Sequence, residues 1–156
     1  MKLLSYKIDG AKACQIGMLQ NKSIYNLNLF FGDISLIDLI QIDNYQNQIN
    51  SFINKQKVII HDIKSIDLLP PIPQPNSFRD AYAFREHVET CRKNRGAKLI
   101  AEFDQFPVFY FSNHNSMLAD GENIELMPDH FNQLDYELEL AIVIGKGGKN
   151  ISSKDA

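Results

Sequence analysis

A proline-rich segment divides the chain and limits how it can fold. Four prolines fall within the six residues from Pro70 to Pro75, inside the stretch Leu68–Pro75. Proline fixes its own φ angle and lacks an amide N–H, so this stretch cannot be helical and favours an extended, polyproline-like path. We therefore expect two parts: a small N-terminal αβ domain over residues 1–70 and a second domain over residues 71–156.

The residues before the prolines carry mixed strand and helix patterns. Lys2–Lys7 and Ser23–Phe31 alternate in polarity, which predicts half-buried strands. Asp33 can cap a helix whose first apolar residues recur at helical spacing, and Asn44–Gln56 continues with apolar residues on one face. The β-branched run Val58–Ile60 predicts a further short strand. Together these patterns predict a compact αβ unit.

Beyond the prolines the patterns predict one helix and several strands. Ser77 can cap a helix that runs to about Arg95 and stops at Gly96. Phe106–Ser112 is typical of an aromatic strand. Tyr136–Ile144 alternates and then becomes fully apolar, which favours a strand with one end buried on both faces. The whole chain is therefore predicted to be α+β and rich in β-structure.

Composition and charge narrow the class of function. The formal net charge is −3 and no basic block stands out, which argues against binding to nucleic acid or to an anionic membrane. No apolar run approaches the ~20 residues of a membrane span, and the N-terminus lacks the apolar core of a signal peptide. The two cysteines are far apart in sequence, which is typical of reduced thiols in a cytoplasmic protein.

Two glutamates in the last predicted strand are candidate metal ligands. Glu137 and Glu139 are two residues apart, so on a strand their side chains share a face. Two adjacent carboxylates repel each other, and a divalent cation relieves that repulsion. Hard oxygen ligands suit Mg²⁺, Mn²⁺ or Ca²⁺. The alternative interpretation is a solvated strand face, because most glutamates are exposed.

The predicted helix after Ser77 carries a candidate general base and a basic end. Asp80, Phe84 and His87 would share one helix face, and histidine can accept a proton near neutral pH. The alternative is a surface or packing histidine. An arginine among the basic residues of 92–98 could hold a carboxylate through two parallel hydrogen bonds. Alternatively, these cations form only a solvated helix end.

Three stretches, in this order along the chain, resemble the fumarylacetoacetate hydrolase family. They are SFRDAYAFREHVETCRKNRG, FPVFYFSNHNS and LDYELELAIVIGKGGKNIS. The third is the most specific, because it matches the family's DxExE-type strand, its glycine turn and its GKNI tail. The resemblance covers about Pro71–Ala156, and the residues before it fit the family's variable N-terminal domain.

The resemblance implies a fold, an activity and a set of site residues. The fold would be a mixed β-sandwich roll, of which residues 71–156 form an incomplete first part. The activity would be metal-dependent cleavage of a carbon–carbon bond in a 1,3-dicarbonyl acid such as fumarylacetoacetate or an acylpyruvate, in a homodimer, with Mg²⁺ as the first expectation. Some relatives instead run isomerisation or decarboxylation. The implied site comprises the metal ligands Asp80, Glu137 and Glu139, the catalytic His87, and the substrate contacts Tyr82, Arg95 and Tyr110.

The resemblance also has departures. The family's next metal-binding aspartate lies in a G-Y-x-x-x-N-D segment that is expected after Ala156, as are later glutamine and lysine positions. Some members pair the histidine with a glutamate three residues on, where this chain has Thr90. The match of Arg95 requires a one-residue gap. The alternative is therefore a truncated, non-catalytic fragment with an incomplete metal site, and we expect the 156-residue chain alone to be inactive.

Overall fold

The computed structural model describes residues 1–55, 60–125, 128 and 134–156. The described part is α+β, as predicted, with two antiparallel sheets and four α-helices. The chain divides into two compact units, unit 1 with residues 1–73 and 118–156 and unit 2 with residues 74–117. The β-sandwich roll and the boundary at residue 70 stay predictions. Among the described helices, none combines the length and apolar composition that a bilayer span requires.

A five-stranded antiparallel sheet lies at the centre of unit 1. Its spatial order is β4-β3-β2-β1-β5. The strands are β1 (Lys2–Ile8), β2 (Gln15–Gln20), β3 (Ser23–Asn26), β4 (Ile60–Asp62) and β5 (Ile66–Leu68). In β1, which lies between β2 and β5, Leu4 pairs with Gly17, and Tyr6 pairs with Gln15 on one side and Leu68 on the other. Of the predicted strand Val58–Ile60, only Ile60 lies within the described residues, and it begins β4.

Two apolar clusters flank this sheet. Three helices cover the first, namely α1 (Asn28–Phe31), α2 (Leu36–Ile40) and α3 (Tyr45–Lys55). Its buried members are Ile16, Met18, Leu27, Leu36, Leu39, Ile49 and Phe52. The second cluster contains Leu4, Tyr6 and Ile24. Side chains alternate between the faces of a strand, so β1 contributes Leu3 to the first cluster and its neighbour Leu4 to the second.

The strand predicted over Ser23–Phe31 is shorter in the structure and ends at Asn26. The carboxamide of Asn28 accepts a hydrogen bond from the Ile16 amide at 2.7 Å and donates one to the Gly32 carbonyl at 2.8 Å. These bonds close a helical turn, α1, where the alternation predicted a strand. Local hydrogen bonding by asparagine side chains competes with sheet pairing in this way.

The helix predicted to start at Asp33 begins two residues later. Ser35 is the N-cap of α2, and its hydroxyl accepts from the Asp38 amide at 3.2 Å. The Asp38 carboxylate in turn accepts from the Ser35 amide at 2.9 Å. This reciprocal pair is a capping box, with aspartate in the place that glutamate usually takes. Asp33 is therefore not the cap.

The proline segment follows the sheet instead of forming a free linker. Pro70 is buried, and the Leu69 amide donates to the Ser5 carbonyl at 3.0 Å. The buried hydroxyl of Ser5 donates to the Pro71 carbonyl at 2.7 Å. Residues 71–74 bend, so the extended path predicted for the prolines is not followed throughout, and the Pro71 carbonyl supplies the acceptor for the Ser5 hydroxyl of β1.

Unit 2 pairs two short strands beside one helix. The strands are β6 (Phe78–Ala81) and β7 (Phe109–Ser112), and the helix is α4 (Arg85–Asn94). The helix predicted from Ser77 is therefore wrong over its first turns. Pairing between β6 and β7 takes the backbone groups that a helix would use. Asp80 consequently lies on a strand, and the helical face that it was expected to share with His87 does not exist.

The predicted strand Tyr136–Ile144 is not formed. These residues adopt neither strand nor helix, and most of their apolar side chains are exposed, with Leu138 at 98%. A strand exists only when a neighbour supplies its ladder of hydrogen bonds. Among the described residues, none pairs with this segment. The alternating pattern shows that the segment favours a strand conformation. Strand formation also requires a neighbouring strand to pair with.

Candidate functional site

The two strands of unit 2 place three of the predicted site residues on one face. Asp80 of β6 pairs directly with Tyr110 of β7. The Tyr82 amide donates to the Val108 carbonyl at 3.0 Å, which extends the pairing past the end of β6. Residues opposite each other, and residues two apart on one strand, point to the same face. Asp80, Tyr82 and Tyr110 therefore share a face of this sheet.

Tyr82 connects that face to helix α4. Its ring lies edge-on to the His87 ring, with centroids 6.3 Å apart. Its hydroxyl accepts a hydrogen bond from Nη2 of Arg95 at 3.3 Å. The Arg95 Nε donates to the Cys91 carbonyl at 3.1 Å, which fixes the guanidinium against the helix. Three predicted residues, one catalytic and two substrate-binding, are thus in contact through Tyr82.

Gly96 terminates helix α4, as predicted. Gly96 has φ +70° and donates its amide to the Lys93 carbonyl at 3.0 Å, while the Ala97 amide donates to the Arg92 carbonyl at 2.8 Å. This pair of bonds is the Schellman motif, which requires a left-handed residue that glycine adopts without strain. The turn brings the chain back along the helix, where the Lys98 carbonyl accepts from Nη1 of Arg92 at 3.0 Å.

His87 lies on the exposed side of α4, one turn before Cys91. The Cys91 sulfur is 3.6 Å from Nε2 and 3.9 Å from Nδ1 of the imidazole. Residues four apart on a helix are neighbours, so the spacing could have indicated this contact. The sequence reasoning treated Cys91 only as a reduced thiol.

Two shallow hollows open on unit 2. One has a volume of about 550 Å³ and contains His87 together with Phe84, Arg85, Glu86 and Thr90. The other has a volume of about 440 Å³ and is lined by Tyr82, Arg92, Arg95 and Ala97. The first holds the candidate base, and the second holds two of the candidate substrate contacts.

The arginines around these hollows differ in how their charge is balanced. Arg85 forms ion pairs with Asp104 and with Glu89, the latter at 3.2 Å. The hydrogen bonds that Arg85 donates to the carboxylates of Asp104 and Glu89 raise the pKa of its guanidinium above the ordinary value. Arg92 and Arg95, by contrast, form no ion pair within the described part of the chain. Their hydrogen bonds go to backbone carbonyls and to the Tyr82 hydroxyl.

Glu137 and Glu139 lie in unit 1, in the exposed segment without regular structure. Taken unit by unit, the described residues assemble no group of three or more His, Cys, Asp or Glu side chains around one point. The assignment of Asp80, Glu137 and Glu139 as metal ligands stays a prediction. Carboxylate oxygens are the type of ligand that a hard cation such as Mg²⁺ prefers, so the three side chains are chemically suited to this role.

Comparison with known proteins gives a family match and several relatives. A family model for the C-terminal domain of fumarylacetoacetate hydrolase matches residues 76–156. An uncharacterized protein of Staphylococcus epidermidis is 27% identical over 171 residues, covering 97% of this chain and 53% of its own length. An uncharacterized protein of Staphylococcus aureus is 27% identical over 168 residues, with the same coverage. Oxaloacetate tautomerase YisK of Bacillus subtilis is 29% identical over 99 residues, or 62% of this chain and 31% of its own. The chain spans about half the length of the first two relatives.

Proposed function

This chain belongs to the fumarylacetoacetate hydrolase family, and on that basis we propose that it carries part of the active site of a divalent-metal-dependent enzyme. The proposed substrate is a small oxo acid. The proposed reaction is hydrolysis of a carbon–carbon bond in a 1,3-dicarbonyl acid of the fumarylacetoacetate or acylpyruvate type. We further propose that the enzyme is cytoplasmic and acts as a homodimer, and light scattering can test the homodimer.

One observation carries the proposal: the contact of Tyr82 with both His87 and Arg95. The three residues lie on a strand end, a helix face and a helix end, and the fold of unit 2 brings them together. A candidate base next to a guanidinium and a phenol is the arrangement that a hydrolase of an anionic substrate needs. The guanidinium holds the carboxylate, and the base acts a short distance away.

The proposed roles follow from the chemistry of each side chain. Asp80, Glu137 and Glu139 would hold the cation, which when bound polarises the substrate carbonyl and stabilises the enolate that leaves. His87 accepts a proton from water as the water oxygen attacks the carbonyl carbon. The carbon–carbon bond then breaks, and the leaving carbon takes up a proton, which gives two acids.

Three residues would hold the substrate. Arg95 and Tyr82 contact each other, and Tyr110 lies on the same sheet face as Tyr82. Arg95 donates to the substrate carboxylate, and Tyr82 orients the guanidinium through its 3.3 Å hydrogen bond. Tyr110 pairs with Asp80 across the ladder, so its hydroxyl is available on the face that carries the first carboxylate. Such fixed contacts contribute to catalysis by holding the reacting groups in place.

Two other functions are candidates. The relative YisK is an oxaloacetate tautomerase, so the same histidine could move a proton between the keto and enol forms without breaking a carbon–carbon bond. The second candidate is a chain that binds ligand but does not turn it over.

An activity assay on the full 156-residue chain separates these functions. The chain is incubated with Mg²⁺ or Mn²⁺ and either acetylpyruvate or oxaloacetate, and loss of the enol absorbance is followed alongside product analysis by NMR. Two acids from acetylpyruvate support hydrolysis, and accelerated keto–enol exchange of oxaloacetate alone supports tautomerisation. Absence of turnover by the folded chain is the result we expect for these 156 residues alone, and it supports the non-catalytic candidate. Turnover of either substrate would contradict that candidate.

A matched pair of variants tests the role of His87. In any form of the protein that turns over substrate, His87→Gln should lower kcat by about 10²–10⁴-fold, the usual contribution of a general base. His114 is the other histidine of unit 2 and contacts none of the predicted site residues in the described hydrogen bonds. His114→Gln should therefore retain wild-type kcat. Equal activity of the two variants would show that His87 is not the base.

A further inference from the structure

We propose that Cys91 is a site of reversible thiol–disulfide exchange, that His87 accepts the thiol proton during the exchange, and that the mixed disulfide formed on Cys91 regulates His87. The other reactant is a small disulfide, the oxidised form of a low-molecular-weight thiol. The exchange rests only on the geometry of helix α4 within unit 2. The regulatory consequence rests, in addition, on the proposed function.

The thiol and the imidazole lie side by side on α4. The Cys91 sulfur is 3.6 Å from Nε2 and 3.9 Å from Nδ1 of His87. A thiol is a weak hydrogen-bond donor, and a neutral imidazole has one nitrogen that accepts. The contact therefore gives the thiol proton an acceptor one helical turn away. An adjacent histidine is a common means of activating a cysteine as a nucleophile.

Neighbouring groups hold this pair in place. The Tyr82 ring packs edge-on against the imidazole, with centroids 6.3 Å apart. On the other side, Nε of Arg95 donates to the Cys91 carbonyl at 3.1 Å. The charged groups of the preceding turn, Arg85 and Glu89, bind each other at 3.2 Å. Within the described part of the chain, both hydrogen-bond contacts of the Cys91 sulfur are with the imidazole.

The proposed exchange balances in atoms and electrons. The Cys91 sulfur attacks one sulfur of the disulfide while its proton passes to His87. A bond forms between these two sulfurs, the original S–S bond breaks, and the leaving thiolate takes the proton from the imidazole. Cys91 is thereby oxidised to a mixed disulfide, and the departing sulfur is reduced to a thiol. An excess of a reducing thiol reverses the step.

A simpler explanation is that Cys91 is only a packing residue, three positions after the buried Val88, and that helical spacing alone brings it next to His87. Cys14 separates the two explanations. Cys14 is exposed, whereas Cys91 is half-buried, and the Cys14 sulfur lies 3.8 Å from the Gln15 carbonyl, which does not take up a proton. Access alone would make Cys14 the faster thiol, and activation by His87 would make Cys91 the faster one.

Competition between the two cysteines of the folded 156-residue chain tests the exchange. The chain is treated at pH 7 with oxidised mercaptoethanol, an uncharged disulfide that the nearby arginines do not attract, then quenched in acid for peptide mass spectrometry. We expect Cys91 to react about tenfold faster than Cys14, because an unassisted thiol is only a few per cent ionised at pH 7. Dithiothreitol should release the adduct. Equal rates, or a faster Cys14, would overturn the proposal.

The pH dependence of His87→Gln distinguishes proton transfer from a structural effect. At pH 7 this variant should lower the rate at Cys91 about tenfold. At about pH 9.5, where a free thiol is mostly ionised without help from a base, its rate should be within about twofold of wild type. His114→Gln is the control and should leave the rate at Cys91 unchanged at both pH values. An equal loss at both pH values for His87→Gln would mean altered access and would overturn the role of His87.

NMR of the imidazole rings tests the consequence for His87. In the ¹⁵N-labelled Cys14→Ser chain, the signals that His87→Gln removes identify the His87 ring. Complete modification of Cys91 should shift those signals and leave the signals of His114 in place, and dithiothreitol should restore the original positions. Unchanged His87 signals after complete modification would overturn the regulatory part of the proposal.

The failure of this proposal and the failure of the proposed function have different signatures. Suppose that Cys91 exchanges faster than Cys14 and shifts the His87 signals, while His87→Gln leaves turnover unaffected. That result contradicts the proposed function alone. If His87→Gln abolishes turnover but Cys91 is no more reactive than Cys14, the Cys91 proposal alone is contradicted.

Discussion

Replacing Tyr6 with phenylalanine should leave unit 1 at least as stable at neutral pH and remove much of its sensitivity to alkali. Tyr6 is fully buried in the second apolar cluster. Its hydroxyl has no hydrogen-bond partner within the described part of the chain. The nearest polar ring is that of His61, with ring centroids 5.8 Å apart, and Nε2 of that ring is buried without a partner as well.

The magnitude follows from two effects of burial. A buried donor without an acceptor costs about 1–3 kcal/mol, so Tyr6→Phe, which keeps the ring, should change the free energy of unfolding by between zero and about +2 kcal/mol. Burial also raises the pKa of Tyr6 from 10.0 to about 12. The unfolded chain therefore ionises first, and stability that is complete below pH 10 decreases as the pH rises towards 12. A two-unit difference corresponds to about 2–3 kcal/mol.

Urea unfolding at pH 8, 10 and 11.5 measures both effects. Unfolding is followed by far-UV circular dichroism because the chain has no tryptophan for a fluorescence signal. Tyr25→Phe is the control, because Tyr25 lies half-buried on strand β3 of the same sheet. That variant should keep the wild-type loss of stability above pH 10. The reasoning is refuted if Tyr6→Phe loses more than about 1 kcal/mol at pH 8, or if its stability falls above pH 10 as steeply as that of the wild type.

Two further substitutions test packing and capping. A Cβ at Gly17 would lie 2.6 Å from Cγ2 of Ile24, so Gly17→Ala should lower the free energy of unfolding by about 1–3 kcal/mol, measured by urea unfolding. Ser35→Ala removes the capping box of α2 and should cost about 1 kcal/mol at pH 7. The hydrogen bonds from Ser35 lower the pKa of Asp38 below 3.8. The capping contribution is therefore present above that pH and lost as the pH falls through the lower folded-state value, so the cost of Ser35→Ala should shrink in acid.

Each of these substitutions has a control on the same chain. Gly147 has open space around its missing Cβ, so Gly147→Ala should change stability by no more than about 0.5 kcal/mol. Ser51 is an exposed residue within α3, and Ser51→Ala should be neutral or slightly stabilising, because alanine is the better helix former. A loss at Gly147 equal to that at Gly17, or a loss at Ser51 equal to that at Ser35, would show that the local contacts are not the cause.

Elements fixed by nearby residues were predictable, and those fixed by distant pairing were not. Gly96 ends α4 because only a left-handed residue completes its turn, and that signal lies in the sequence itself. Phe78–Ala81 is a strand because Phe109–Ser112, about thirty residues later, pairs with it. No local pattern around Ser77 contains that information, so helical spacing was the wrong guide there. Tyr136–Ile144 illustrates the reverse case, a strong local strand pattern without a partner among the described residues.

The candidate site shows the same difference between contacts set by nearby residues and contacts set by distant strand pairing. The family resemblance indicated Tyr82, His87 and Arg95, and the structure brings these three together in unit 2. Helical spacing would have placed Asp80 beside His87, whereas strand pairing places it opposite Tyr110. The contact of Cys91 with His87 was missed, although a four-residue spacing on a helix predicts it.

Cys91 gives this site a spectroscopic probe position. The thiol is half-buried and lies within one helical turn of His87, while the other cysteine, Cys14, is an exposed residue of unit 1. With Cys14 replaced by serine, a trifluoromethyl tag on Cys91 would carry a single fluorine signal next to the imidazole. Arrival of a ligand in either hollow of unit 2 could then be followed by ¹⁹F NMR, in a chain that need not turn over any substrate.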